Sequence, residues 1–137
     1  MNIFEKHLNE IKDLILKNKS ALNLNNIENL KSVNLDTPPE QFNYDLSCNI
    51  AMILGKSNKL NSKELAQKLK KLFLNKINSF VEVQIAGPGF INIKLSNTAL
   101  IKNINMILKS NKTYGAYKTK KIYNIEFVSA NPTGPMH

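Results

Sequence analysis

The sequence predicts an α+β fold in which a small antiparallel β-sheet is flanked by amphipathic helices. Apolar residues recur at three- and four-residue spacing in separate stretches near residues 2–19, 62–77 and 97–108. That is the period of helices with one buried face. Between the last two stretches, Val81, Val83 and Ile85 alternate with Glu82 and Gln84. A second alternating run follows across Gly87-Pro88-Gly89, which is the pattern of a hairpin. Helices interleaved with one antiparallel hairpin, without regular strand–helix–strand alternation, argue for an α+β domain.

The first helix is expected over 2–19, with Ile3, Phe4, His7, Leu8, Ile11, Leu14 and Ile15 on its apolar side. His7 lies on that stripe and is read as a packed histidine rather than a catalytic one. The Asn-rich stretch from Ala21 to Asn29 reads as a loop or a short helical turn, and Leu30–Leu35 as a short strand that Pro38-Pro39 stops. Cys48–Leu54 reads as a short helix. Ser62 is the expected N-cap of a helix running to about Ile77, with Leu65, Leu69, Leu72 and Phe73 turned inward.

In the hairpin turn, Pro88 fixes one backbone angle and the following glycine accepts a positive φ. Phe90–Leu95 returns as the second strand. The next helix, from about Asn97, is expected to bury Leu100, Ile101, Ile104 and Leu108. The polar, lysine-bearing segment NKTYGAYKTKK (111–121) reads as a linker, and Ile122–Val128 as a final strand.

The 137 residues suit one compact domain with a short extension, and 42% hydrophobic and 21% charged residues are ordinary globular proportions. Net charge is +9, and every cation is lysine. Many Asn and Ile and no Trp or Arg suggest AT-rich coding, so the basicity divides between codon usage and attraction for a polyanion. A single cysteine, Cys48, excludes an internal disulfide, and with two distant histidines it makes a poor metal site, so no metal ligand is assigned. It is read as a small buried residue. No apolar run approaches the ~20 residues that span a bilayer. The acidic, amphipathic N-terminus is unlike a signal peptide, and a cytoplasmic protein is expected.

Two places carry candidate chemistry. On the second hairpin strand, Ile91, Ile93 and Leu95 share the core face, while Phe90, Asn92 and Lys94 share the opposite, solvent face. A ring, an amide and an ammonium are the parts that hold an unstacked nucleotide, by stacking, base-edge hydrogen bonding and phosphate contact. A phenylalanine that packs under a neighbouring loop is the simpler reading of periodicity alone. The second place is the chain's end, where Glu126, Ser129, Asn131 and His137 follow a strand into a loop containing proline and glycine. Open α/β enzymes bind ligands at such a position, and an ordinary surface turn fits the pattern equally.

Residues 125–137, Ile-Glu-Phe-Val-Ser-Ala-Asn-Pro-Thr-Gly-Pro-Met-His, closely resemble the lead-in to the HxGH signature of class I synthetases, in the form typical of bacterial arginyl-tRNA synthetases. Upstream, Ala86-Gly87-Pro88-Gly89-Phe90-Ile91-Asn92-Ile93 is similar to the hallmark of that family's additional N-terminal domain. A weaker match is Tyr44-Asp45-Leu46-Ser47-Cys48-Asn49-Ile50-Ala51, where the family shows a Gly-Asp-Tyr-Ala-Thr-Asn pattern. Tyr44 stands at the Gly and Leu46 at the Tyr, so the turn over 44–49 is open to a different construction.

The resemblance implies an N-terminal tRNA-binding domain over 1–111, a linker over 112–121, and over 122–137 the truncated first strand and signature of a Rossmann-type catalytic domain. The N-terminal domain would touch the corner of the tRNA and read a D-loop nucleotide, with Phe90 and Asn92 at the reading positions and Lys94 beside them. Glu126, Ser129 and Asn131 match positions of the arginine pocket, where a carboxylate suits the substrate's cationic end. The signature region covers Ala130, Asn131, Pro132, Thr133, Gly134, Pro135, Met136 and His137. His137 matches the first signature histidine, which stabilises charge on the ATP phosphates as the amino acid's carboxylate attacks.

The implied parent is an arginine–tRNA ligase, expected to be monomeric, with tRNA-Arg, L-arginine and ATP with Mg2+ as its partners and substrates. Ending at His137, the sequence lacks the second histidine and the KMSK loop. It is expected to bind neither ATP nor metal and to be inactive by itself. The rival readings are a free-standing RNA-binding module and another nucleotidyltransferase with a similar histidine signature. The Gly-Pro-Gly-Phe-Ile-Asn hairpin counts against the latter.

Overall fold

The computed structural model describes residues 2–116, 120 and 122–125 of the chain. Over these the order is α1 (Ile3–Asn18), a 3-10 turn (Glu28–Ser32), β1 (Leu35–Asp36), β2 (Leu46–Cys48), α2 (Ile50–Asn58), α3 (Ser62–Lys76), β3 (Phe80–Ala86), β4 (Phe90–Leu95), α4 (Asn97–Ser110) and a second 3-10 turn, Asn111–Thr113. The α+β class read from the sequence is the class observed.

The four strands form one antiparallel sheet in the order β1-β2-β4-β3. β4 lies inside the sheet, pairing with β2 through Leu46–Ile93, Ser47–Asn92 and Cys48–Ile91, and with β3 through Ile85–Ile91 and Gln84–Asn92. Residues opposite one another across a ladder point to the same face. Leu46, Cys48, Val83, Ile91 and Ile93 therefore share one side, and all are buried. Ile11 and Ile15 of α1, Leu54 of α2, and Leu65, Leu69 and Phe73 of α3 complete one core with them. Each large side chain so buried contributes roughly 1.5–3 kcal/mol. The other face carries Ser47, Gln84, Phe90, Asn92 and Lys94.

Local chemistry explains the helix starts. Asn2 Oδ1 accepts the Glu5 N–H at 2.8 Å, and Ser96 caps α4 by accepting the Ala99 N–H at 3.2 Å. α3 is capped by Asn61, not by Ser62 as the sequence suggested. Asn61 Oδ1 accepts both the Lys63 and Glu64 N–H groups, at 2.9 and 3.2 Å. Ser62 is instead the first helical residue.

Other expectations need correction. Leu30–Leu35 is mostly a 3-10 turn with a two-residue strand after it. Leu30 and Val33 are both buried, and their three-residue spacing suits that tight turn, not a strand. Cys48–Leu54 is not one helix: Cys48 ends β2, and α2 begins only at Ile50. Short apolar runs are ambiguous in period, and pairing with β4 decides this one. β3 alternates only beyond an irregularity between Phe80 and Glu82, which buries Phe80 and leaves Val81 57% exposed.

α4 forms where expected, but its apolar stripe is not a core face. Leu100 packs against the core, whereas Ile101, Ile104 and Leu108 are 57%, 54% and 69% exposed. Periodicity reports that a helix has an apolar side, not what that side meets. Residues 122–125, the described part of the expected last strand, carry no strand, and Ile122, Tyr123 and Ile125 are exposed. No partner strand lies beside them among the described residues to accept their backbone groups. Residues 126–137, including Glu126, Ser129, Asn131 and the whole signature from Ala130 to His137, lie outside the described residues.

Candidate functional site

The sheet face opposite the core closes into a cavity of about 640 Å³, within the ordinary range for ligand pockets. Strand β4 supplies its centre. Phe90 stands at the turn end, 39% exposed, and Asn92, two residues along on the same face, is only 2% exposed. The Gly87-Pro88 turn lies beside Phe90. The opposite wall comes from the segment joining β1 to β2, with Pro38, Pro39 and Phe42, and the remaining side from Asn34, Asp36, Asn49 and Met52.

The turn has the form its composition demands. Gly87 and Gly89 both adopt positive φ, +53° and +134°, and the Gly89 N–H returns to the Ala86 carbonyl at 3.2 Å. This tight reversal ends the hairpin directly against Phe90 and leaves the ring half-free at the cavity mouth.

Asn92 differs from the open-face residue that strand alternation suggested. Parity is as expected, but β2 and the Pro38–Phe42 segment cover the strand and make Asn92 a cavity floor. Ser47, its cross-strand partner, donates its hydroxyl to Asn92 Oδ1 at 2.8 Å. Asn49 Oδ1 in turn accepts the backbone N–H of Asn34 at 3.0 Å.

Lys94 is placed elsewhere. It does not line the cavity, and its ammonium donates to the Asn43 carbonyl and side-chain oxygen at 3.1 and 2.8 Å. It thereby ties down the approach to β2. Asp45 reinforces that approach, since its carboxylate accepts the Leu95 N–H at 2.7 Å and its own N–H donates to the Ile93 carbonyl at 3.0 Å. Tyr44 donates its hydroxyl to the Glu82 carboxylate, and this hydrogen bond is the main cause that holds the phenol above its usual pKa. Leu46 is buried opposite Ile93. The two unusual residues at 44 and 46 are thus an outward anchor and a core side chain.

Sequence reasoning singled out Phe90 and Asn92, and the fold brings both to one cavity. It gave no role to Ser47 or Asn49, although both lie in the 44–51 stretch. It read Pro38-Pro39 only as a strand stop. No sequence period links 38–49 to 90–92; the sheet order does.

His7 is 1% exposed, with its ring centroid 5.4 Å from that of Phe80 and Nδ1 3.1 Å from Glu10 Oε2. Burial lowers its pKa below the ordinary 6.5 against the opposing pull of Glu10. Cys48 is fully buried, and desolvation pushes its thiol up to about 12. Both are structural residues, as read from the sequence. Among the described residues no group of His, Cys, Asp and Glu could hold a metal ion, and no helix is long and apolar enough to cross a membrane.

Residues 4–95 match the family model described as the arginyl tRNA synthetase N terminal domain. A protein named arginine–tRNA ligase from Pelagibacter ubique is 42% identical over 139 residues, which cover 100% of this chain and 24% of that protein. Proteins of the same name from Caldanaerobacter subterraneus subsp. tengcongensis and Rickettsia felis are each 40% identical, across 99% and 100% of this chain and 25% and 23% of their own lengths. The chain therefore spans about a quarter of the length of the curated relatives it matches.

Proposed function

The chain belongs to the arginyl-tRNA synthetase N-terminal domain family, and from that premise we propose that it binds tRNA by receiving one unstacked D-loop nucleotide in the cavity at β4. The observation that carries the reading is the pairing of Phe90 and Asn92. A half-exposed ring at the mouth offers a stacking surface, and a buried amide at the floor meets a base edge. The +9 charge supplies the sequence-independent attraction to phosphate. Lys94 serves chiefly by ordering the wall beside the floor, through Asn43, and secondarily as a positive charge near the bound strand.

In the complete polypeptide the activity is ligation of L-arginine to tRNA-Arg with ATP, which enters with Mg2+. Glu126, Ser129 and Asn131 contribute to the arginine pocket, and His137 stabilises the ATP phosphates as the amino acid's carboxylate attacks. The 1–111 unit is the tRNA-binding domain, 112–121 the linker, and 122–137 the opening of the catalytic domain. The full-length protein acts as a monomer in the cytoplasm. Residues 1–137 alone catalyse no arginine-dependent ATP–pyrophosphate exchange.

The test is titration of the chain with tRNA-Arg at several salt concentrations, alongside Phe90→Ala. Affinity falls as salt rises, and Phe90→Ala weakens binding at every salt concentration. A salt-independent affinity, or one indifferent to Phe90, sinks the proposal.

A further inference from the structure

Ile101, Ile104 and Leu108 recur at three- and four-residue spacing along α4, and each is more than half exposed. That spacing sets them in one row on the helix. Leu100 packs against the core, and the row lies outside that contact. α1, α2 and α3 each bury three or more residues, whereas α4 buries none. The helix also holds no acidic residue. Lys102 and Lys109, seven residues apart, form an exposed basic edge beside the row, and neither makes an ion pair among the described residues.

A contiguous apolar row of this kind marks an interaction surface. A second copy of the chain is a poor occupant. Two such helices related by a two-fold axis would bring one lysine edge against the other, with no carboxylate to answer it. The row is also small. Three aliphatic side chains fall well short of the ~800 Å² per partner that holds separate chains together. A surface on the same polypeptide needs far less, because a short tether holds it at an effective concentration on the order of millimolar. The family model ends at Leu95, just before α4 begins at Asn97, and the curated relatives are about four times as long as this chain. α4 thus stands between the N-terminal unit and the polypeptide that follows it in those relatives.

We propose that Ile101, Ile104 and Leu108 seat the catalytic domain of the full-length protein, which covers them with an apolar surface edged by carboxylates that face Lys102 and Lys109. The inference rests on the reading of the full-length protein as a ligase whose catalytic domain follows the linker. It adds that a packed helix, and not the linker alone, sets the angle between the tRNA-binding cavity and that domain.

The test compares amide hydrogen exchange over Asn97–Ser110 in residues 1–137 and in the full-length protein, each with and without Ile104→Lys and Leu108→Lys together. In the full-length protein these amides exchange about tenfold more slowly than in 1–137, because a docked helix opens less often. The double variant removes that difference. It leaves the denaturant midpoint of 1–137 unchanged, since both side chains face solvent there. Lys102→Glu with Lys109→Glu narrows the difference. Equal rates in the two proteins overturn the inference. Protection within 1–137 that grows with protein concentration, alongside a dimer in sedimentation, makes a second copy the occupant and overturns it. Protection that appears only with tRNA makes the face an RNA contact and overturns it too. Arginine-dependent ATP–pyrophosphate activity of the full-length wild type keeps the two readings apart. Its absence sinks the ligase reading and the inference with it, whereas activity without α4 protection sinks the inference alone.

Discussion

Gly89 lies against Ser62, the first residue of α3, so closely that a Cβ at position 89 would sit 3.2 Å from Ser62 Cβ and 3.3 Å from its carbonyl oxygen. The contact holds the hairpin end next to α3, and the residue also has φ of +134°. Gly87, two positions earlier, has φ of +53° with nothing within 4 Å of the equivalent Cβ. Gly89→Ala therefore meets both strain and crowding and costs about 1–3 kcal/mol or more of stability. Gly87→Ala meets only the strain, about 1–2 kcal/mol. Denaturant midpoints rank the two, and a larger loss at Gly87 would refute the role given to the Ser62 contact.

Phe90 and Ile91 are chain neighbours on opposite faces of β4, one 39% exposed and the other fully buried. Phe90→Ala should cost about 1–3 kcal/mol of tRNA binding, the worth of one base–aromatic stack. Ile91→Ala should cost about 2–5 kcal/mol of stability and reduce binding only through unfolding. Each variant needs a denaturant midpoint and a tRNA affinity. A sharply lowered midpoint for Phe90→Ala with unchanged affinity of the folded protein would make Phe90 a core residue.

His7 makes stability depend on pH. Its pKa in the folded state is lowered, chiefly by burial, from the ordinary 6.5. The unfolded chain therefore takes up the proton first as pH falls. The contribution is whole above about pH 7 and declines as pH drops through 6.5 toward the folded value, with a slope of at most about 1.4 kcal/mol per pH unit for one proton. His7→Phe removes this part of the decline. Parallel pH profiles for wild type and variant between pH 5 and 8, as read by melting temperature, would contradict the assignment.

Cys48 should be silent in the native protein. A fully buried thiol with a pKa near 12 presents almost no thiolate at pH 8. Labelling by a thiol reagent should follow the rate of global opening and accelerate sharply in denaturant. Rapid stoichiometric labelling of folded protein would show that β2 detaches from β4 far more easily than its pairing implies.

Part of this molecule was legible because its signals are local. The 3.6-residue stripe of α3 states which side is buried, although the reading of its start fell one residue late, on Ser62 in place of Asn61. The hairpin declares itself by alternation on both sides of Gly-Pro-Gly, and alternation alone puts Phe90 and Asn92 on the face opposite Ile91. Each of the three stretches that resemble the synthetase family is a short contiguous run, and none needed the fold to be seen.

What only the tertiary structure decided depends on residues far apart in the chain. Leu46–Cys48 is too short to show a period and becomes a strand by pairing with β4. Its arrival turns Asn92 from a surface amide into a floor, sets Ser47 against it, and carries Asn49, Phe42 and the Pro38-Pro39 wall across from it. Lys94 looks like a free cation until the chain before β2 brings Asn43 to it. The stripe of α4 looks like core until the sheet proves to be covered already by α3, α2 and α1. Backbone preference acts over a few residues and so is written in the sequence. Which surfaces are shared between distant segments is settled only when burial and hydrogen bonding are satisfied for the whole chain together.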